Sequence, residues 1–199
     1  MSAPGNPDMG QVNVVIPTHS RRDGLANVLG ALFADLPVDS LKVAVTVVEN
    51  GSSVARAVAE EHGAKYIVLP SGNASLARNV GALAHDADIV VFLDDDAVPR
   101  PGWLERLVEP LRSDRADATV GAVQLSVEGE VTASIRAEFV ETSRVMDPGR
   151  PFLIGMNMAI TRSAFDRAGG FEPELGPGAL GGHEDVLLGL KLAARGQRA

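Results

Sequence analysis

The sequence predicts an α/β fold: a mixed, mainly parallel sheet with helices on both faces. Apolar, β-branched runs recur at residues 12–16 (VNVVI), 43–48 (VAVTVV), 66–69 (YIVL) and 89–93 (IVVFL), as buried strands do. Segments of helical periodicity alternate with them, and a strand–helix–strand rhythm feeds parallel pairing through helical crossovers. Polar groups also gather just past the ends of three of these runs, where open α/β sheets hold their ligands.

Taken in order, residues 1–11 (MSAPGNPDMGQ) are polar and rich in Gly and Pro, unlike a signal peptide, and are expected to form a flexible leader. One domain is expected over 12–199, with a first half at about 12–100 and a second at about 101–199. After the first strand, Leu25, Val28, Leu29, Leu32, Phe33 and Leu36 follow the i, i+3, i+4, i+7 rule, and Ser20-Arg21-Arg22-Asp23 ahead of them resembles a capping box. Weaker helical patterns cover 54–62 and 74–85; in the latter Leu76, Val80, Leu83 and Ala84 share a face. A helix at 103–111 precedes a change of pattern. Gly121, Val123, Leu125 and Val127 alternate with polar or small residues, as in a half-exposed strand. Residues 133–146 fit neither period. Residues 152–160 read as a strand, and 184–195 as an apolar helix. Between them, 169–182 holds six glycines and two prolines and is the candidate mobile lid.

Composition narrows the function classes. At 199 residues the chain can bury a sizeable core without cross-links. Eighteen Lys and Arg against 26 Asp and Glu give a net charge of −8, which disfavours nucleic acid or an anionic membrane surface as the main partner. The absence of cysteine excludes disulfides and thiolate metal sites and fits a reducing compartment. No apolar run approaches the roughly 18 residues that span a bilayer. The expected location is cytoplasmic, or peripheral at a membrane.

The chemistry-bearing candidates sit at strand ends. Asp94-Asp95-Asp96 follows the run IVVFL directly, and carboxylates beside so apolar a strand must lie where water or a cation reaches them. A solvated loop explains an isolated DDD equally well, but hard oxygen ligands at a strand end suit Mg²⁺ or Mn²⁺ shared with phosphates. In an extended segment Asp94 and Asp96 would point together and Asp95 aside, with Asp96 the favoured metal ligand. Glu49-Asn50-Gly51-Ser52 reads on its own as a turn with Ser52 or Ser53 as helix N-cap, and alternatively as a carboxylate for a base or ribose. Arg78 lies off the Leu76/Val80 stripe, where most arginines are solvated; the alternative is a guanidinium for a diphosphate. Glu184-Asp185 opens a helix and suits its dipole, or supplies a general base beside a mobile loop. His19 and His183 read as surface residues before they read as ligands.

In order along the chain, VVIPTHSRRDGL, VVENGS, SLARNVG, FLDDDAVPRPGWLE, GMNMAI, FDRAGGFEPELGPG and GGHED resemble a family 2 glycosyltransferase with the nucleotide-diphospho-sugar transferase (GT-A) fold. The resemblance implies that Pro17 and Thr18 line the nucleotide, that Glu49 contacts the base, and that Arg78 approaches the base or diphosphate. It implies that Asp94 and Asp96 form the DxD pair on ribose and cation, with Asp94 also counted among the metal ligands. Asp185 would be the catalytic base, with Asp95 and Glu184 completing the substrate-binding set. The expected donor is a nucleotide-diphospho-sugar, a UDP-sugar first, with Mn²⁺ or Mg²⁺ as cofactor, and the acceptor an unidentified hydroxyl. Backside attack by that hydroxyl would make the transfer inverting.

The chain departs from the family's EDxDLxLR pattern at Leu187 and Lys191, where an ion pair is expected to be missing. It stops at Ala199, where family members continue, so a C-terminally shortened domain is expected. Two rival readings follow. A sugar nucleotidyltransferase would need a glycine-rich phosphate loop after strand one, where PTHSRR stands instead. A noncatalytic sugar-nucleotide-binding domain is favoured by the departures near Asp185.

Overall fold

The computed structural model describes residues 9–124 and 153–198. Within them the chain forms β1 (Gln11–Thr18), α1 (Arg22–Ala34), β2 (Lys42–Asn50), α2 (Arg56–Glu61), β3 (Lys65–Leu69), α3 (Ala74–Ala82), β4 (Ile89–Leu93), α4 (Trp103–Arg112), β5 (Ala118–Val120), β6 (Asn157–Thr161), α5 (Arg162–Ala168) and α6 (Glu184–Ala193). The six strands make one sheet in the order β3-β2-β1-β4-β6-β5. The first four strands are parallel, and β6 enters antiparallel between β4 and β5. Strand order reverses at β1, so the crevice beyond the ends of β1 and β4 is the topological switch point.

Both faces of the sheet are covered, which is why its strands read as near-continuous apolar runs. Val12, Val14 and Ile16 of β1 and Ile89, Val91 and Leu93 of β4 face α1, α2 and α4. Val15, Val90 and Phe92 point the other way, toward Met158, Ile160, Phe165, Phe171, Leu188 and Leu192. There Phe92 and Phe171 meet edge to face at 5.0 Å, with Phe165 beside both.

The predicted face of α3 is wrong. Leu83 lies past the helix and is exposed, and Leu76 and Val80 are only half-buried, whereas Ser75, Ala77, Arg78, Gly81 and Ala82 face inward. Close packing explains the choice of small residues: a Cβ on Gly81 would run into Val15 and come within 3.1 Å of Val48. The buried amide of Asn13 fastens this contact by donating to the Gly81 carbonyl (2.9 Å) and accepting from the Thr46 hydroxyl (2.9 Å).

Other boundaries move for identifiable reasons. The capping box does not form: Arg21 occupies the N-cap of α1 without a side-chain bond, and Ser20, at φ 57°, donates instead to Ser52 Oγ (3.1 Å). Neither Ser52 nor Ser53 caps α2, whose N-cap is Ala55. The alternating stretch from Gly121 pairs earlier than expected, as β5 at Ala118–Val120. Gly121–Gln124 lie outside the strand, and the remainder of that alternation falls outside the described residues. The strand expected over 152–160 is β6 at Asn157–Thr161; before it Ile154 accepts from the Asn157 amide in a turn. The last helix ends at Ala193, two residues short of the expected Arg195. Of the leader expected over 1–11, residues 1–8 lie outside the described residues, as do 133–146, and Gln11 already belongs to β1.

Candidate active site

The ends of β1 and β4 meet through a side-chain bond. The Thr18 hydroxyl donates to Asp95 Oδ2 (2.5 Å), and both residues are buried. The acidic segment is a turn rather than an extended strand, closed by Ala97 N–H on the Asp94 carbonyl (3.1 Å). The alternation expected of Asp94 and Asp96 therefore does not apply. Asp94 accepts from Arg78, Asp96 accepts from Arg21 (2.5 Å), and Arg21 also stands 3.5 Å from Asp95. Burial raises the Asp95 carboxyl above its ordinary range, with the neighbouring Asp96 and Asp94 adding to the rise; the Thr18 bond and Arg21 oppose it. Asp96 is the solvent-facing acid, its side chain 60% exposed.

Glu49, at the end of β2, is fully buried, and its carboxylate is taken up inside the protein. Ser52 donates to one oxygen; the Tyr66 hydroxyl (2.6 Å) and the Ala55 amide (3.0 Å) donate to the other. Burial pushes this carboxyl up, but the hydrogen bonds from Ser52, Tyr66, Ala55 and Val54 outweigh it and hold it below the ordinary value. Tyr66 moves the other way, to about 12, through burial and the bond to Glu49. Glu49 thus caps the turn into α2, the task the sequence assigned to Ser52 or Ser53. Its neighbour Asn50 is buried against Gly72 and Asn73: its Oδ1 has no partner among the described residues, while its Nδ2 donates to the Asn73 carbonyl (3.3 Å). His19 Nδ1 is bound to the Asn50 carbonyl at 2.8 Å, which gives that histidine a structural place.

Arg78 is not solvated; its side chain is 4% exposed. One terminal nitrogen donates to Asp94 Oδ1 and the other to Glu184 Oε1, each at 2.9 Å. Its guanidinium lies 5.4 Å from the ring centre of Phe171, and Gly155 packs so closely that an added Cβ would stand 3.2 Å from Cζ. Gly155 also donates its amide to Asp185 Oδ2 (3.1 Å), while Val186 N–H donates to Asp185 Oδ1 (2.8 Å). Asp185 remains partly exposed at the start of α6, and Glu184 is buried beside it. His183, the N-cap residue at φ 73°, is exposed and makes no side-chain cap.

The glycine-rich stretch is moored rather than hanging free. Asn73 donates to the Pro173 carbonyl (2.6 Å), Ser75 to that of Leu175 (2.7 Å), and Asn79 exchanges two bonds with the backbone of Phe171 (2.8 and 2.9 Å). Of the two departures after Asp185, Leu187 supplies no charge and Lys191 stands 3.6 Å from Glu172.

Thr18, Asp94, Asp95, Asp96, Arg78, Glu184 and Asp185 are thus linked at one end of the sheet, with Pro17 just before Thr18 in β1. Sequence reasoning missed Arg21 and Tyr66, and gave no separate role to Asn50 or Gly155, although they lie in VVENGS and GMNMAI. An arginine opposite an acidic triplet is a readable signal only once β1 and β4 are known to be neighbours, and Tyr66 carries no local signal.

Fold and rim together define a GT-A glycosyltransferase architecture. The chain belongs to glycosyltransferase family 2: the family model described as "Glycosyl transferase family 2" matches residues 13–169. It is 33% identical over 111 residues to the succinoglycan biosynthesis protein ExoM of Rhizobium meliloti, covering 52% of this chain and 36% of that protein. It is 31% identical over 132 residues to the pre-mycofactocin glycosyltransferase of Mycobacterium tuberculosis, covering 64% of this chain and 26% of that one. The mannosyltransferase PcManGT from Pyrobaculum calidifontis, solved with GDP-Man and Mn²⁺, superposes with a TM-score of 0.71 at 20% identity, over 98% of this chain and 55% of its own. TarS of S. aureus (1–349) with UDP-GlcNAc gives 0.70 at 17% identity, over 92% and 53%. The chain spans roughly a quarter to a third of these two curated relatives and about half of these solved chains.

Proposed function

We propose that this chain carries the donor site and base of a metal-dependent, inverting glycosyltransferase that moves a sugar from a nucleotide-diphosphate donor to an acceptor hydroxyl. The observation that carries the reading is the convergence, at the sheet's switch point, of an acidic turn open to solvent with the Glu184–Asp185 corner, whose buried Glu184 shares Arg78 with Asp94 and whose Asp185 stays partly exposed. Family membership supports the reaction class, and the neighbours bound to GDP-Man and UDP-GlcNAc support the donor class.

The donor set fits a divalent cation: hard carboxylate oxygens, with Asp96 60% exposed although one of its oxygens accepts from Arg21. Among the described residues no three metal-binding side chains could enclose an ion alone, which suits an ion completed by a ligand's phosphates. Asp96 would hold it with Asp94, and the ion would supply charge neutralisation for the departing diphosphate. Thr18 and Asp95 shape the floor where the ribose would lie, and Pro17 lines it. With Glu49 satisfied internally, a contact from its carboxylate to the base would have to displace one of its present donors. UDP is the first expectation for the base.

Asp185 is the base. As the acceptor oxygen bonds to the anomeric carbon, its proton passes to the Asp185 carboxylate, and the bond to the diphosphate breaks with its electron pair leaving on the diphosphate oxygen. Two backbone amides fix that carboxylate and leave a lone pair on each oxygen for the incoming proton.

Thermal-shift binding of a panel of nucleotide diphosphates and nucleotide-sugars, each with Mn²⁺ and with EDTA, tests the reading. Stabilisation by one nucleotide that needs Mn²⁺ is expected, about 2.7 kcal/mol when the ligand is at a hundred times its Kd. No stabilisation of a folded sample by any of them would overturn it.

A further inference from the structure

We infer that Arg78 is a positioning residue that couples the donor-side carboxylate Asp94 to the Glu184–Asp185 corner, so that each end of the site feels the state of the other. The inference rests on the reading of those two carboxylates given above, but its structural half can be judged without it.

The two nitrogens that Arg78 uses belong to one rigid plane, and they end on carboxylates from different elements: Asp94 after β4 and Glu184 at the start of α6. A planar fork transmits displacement, because moving one partner while keeping both bonds turns the whole plane. The plane has little room to absorb that turn. Phe171 packs on it from 5.4 Å, and Gly155 lies against it at a separation that a Cβ would close to 3.2 Å. Nε has no partner among the described residues, so the guanidinium is held from its outer edge and by packing. Gly155 is also the residue whose amide orients Asp185. Asp94, in turn, is tied back to the same segment by its own amide, which donates to the Met156 carbonyl (3.1 Å). Residues 155 and 156 thus touch the base on one side and the acidic turn on the other, with the guanidinium filling the space between.

A residue that only supported the fold would not carry information between its two partners. The coupling is therefore tested by cross-effects. Glu184→Gln keeps an acceptor for Arg78 but removes the charge, and the donor-side acids Asp94 and Asp96 are untouched. It is expected to weaken Mn²⁺-dependent binding of UDP or GDP, whichever the panel selects, by 3- to 10-fold. Asp94→Asn touches neither Gly155 nor α6. It is expected to speed hydrogen exchange at the Gly155 amide and in the first turn of α6 by a similar factor. Arg78→Lys, which offers a point charge in place of a fork, should show both effects, and adding Glu184→Gln to it should weaken nucleotide binding no further. The two carboxamide variants keep the test decisive if Arg78→Lys fails to fold. Wild-type nucleotide affinity in Glu184→Gln together with wild-type exchange in Asp94→Asn, in samples of equal helicity, overturns the coupling. If the wild-type protein binds no nucleotide, the functional reading falls, and the exchange measurement still decides whether Arg78 couples the two ends.

Discussion

A charge taken out of water has to be met by hydrogen bonds, and Glu49 meets this requirement with its own neighbourhood. Ser52, Tyr66 and the Ala55 amide saturate a carboxylate that is fully buried. Its folded-state titration lies below the ordinary 4.5, so its stabilising contribution is complete above that value and is lost as pH falls through the folded value. Glu49→Gln is accordingly expected to cost about 1–3 kcal/mol at pH 7. The gap to wild type should narrow as pH falls below 4.5, as urea unfolding across that range will show. A gap unchanged with pH would mean that the charge contributes nothing. None of this was readable from VVENGS, because Tyr66 reaches Glu49 only after β3 pairs with β2. The burial of Arg78 was hidden for the same reason: it depends on two carboxylates 16 and 106 residues away.

At the scale of elements, α3 decides the depth of the site. Its inner face is small, so it settles onto β1 and β2 closely enough for Arg78 to reach the ends of β4 and α6. Gly81→Ala would push against Val15 and Val48, which sit in the sheet and cannot swing away. Overpacking of this kind costs about 1–3 kcal/mol, and in a domain of this size each kcal/mol lowers Tm by about 2–4 °C. Calorimetry should therefore show a drop of several degrees, and an unchanged Tm would mean that α3 has slack against the sheet. The long elements were legible in the sequence because burial on both faces writes continuous apolar runs, and because α1 carries a wide helical stripe. The face of α3 was not, since a helix packed by glycine and alanine leaves no bulky stripe to count, and Leu76, Val80 and Leu83 supplied a false one.

For the whole molecule, the proposed reaction draws on both halves of the chain. Asp96 belongs to the turn after β4 and Asp185 to α6, so substitutions should separate binding from turnover. Asp96→Ala is expected to abolish the Mn²⁺-dependent part of nucleotide binding. Asp185→Asn should leave nucleotide affinity within about 2-fold and lower transfer by 100-fold or more, within the usual range for losing a general base. Isothermal titration with a nucleotide diphosphate, followed by release of that diphosphate from the sugar donor, reads both. Transfer at the wild-type rate in Asp185→Asn would remove it from the role of base. The order of strands explains why such a site was only partly foreseeable: the acids could be listed from the sequence, but which of them meet depends on β4 lying between β1 and β6.

The mooring of residues 171–177 on α3 bears on how such a protein could be recombined. Asn73, Ser75 and Asn79 lie in the first half of the chain, yet their side chains hold the backbone of a loop in the second. A chimera cut at the apparent boundary near residue 100, made to lend this donor site a new acceptor side, would bring in a loop whose fastenings were left behind. The exchangeable unit is the later half together with one face of α3, a set that no single crossover point can deliver without also replacing β4 and the acidic turn.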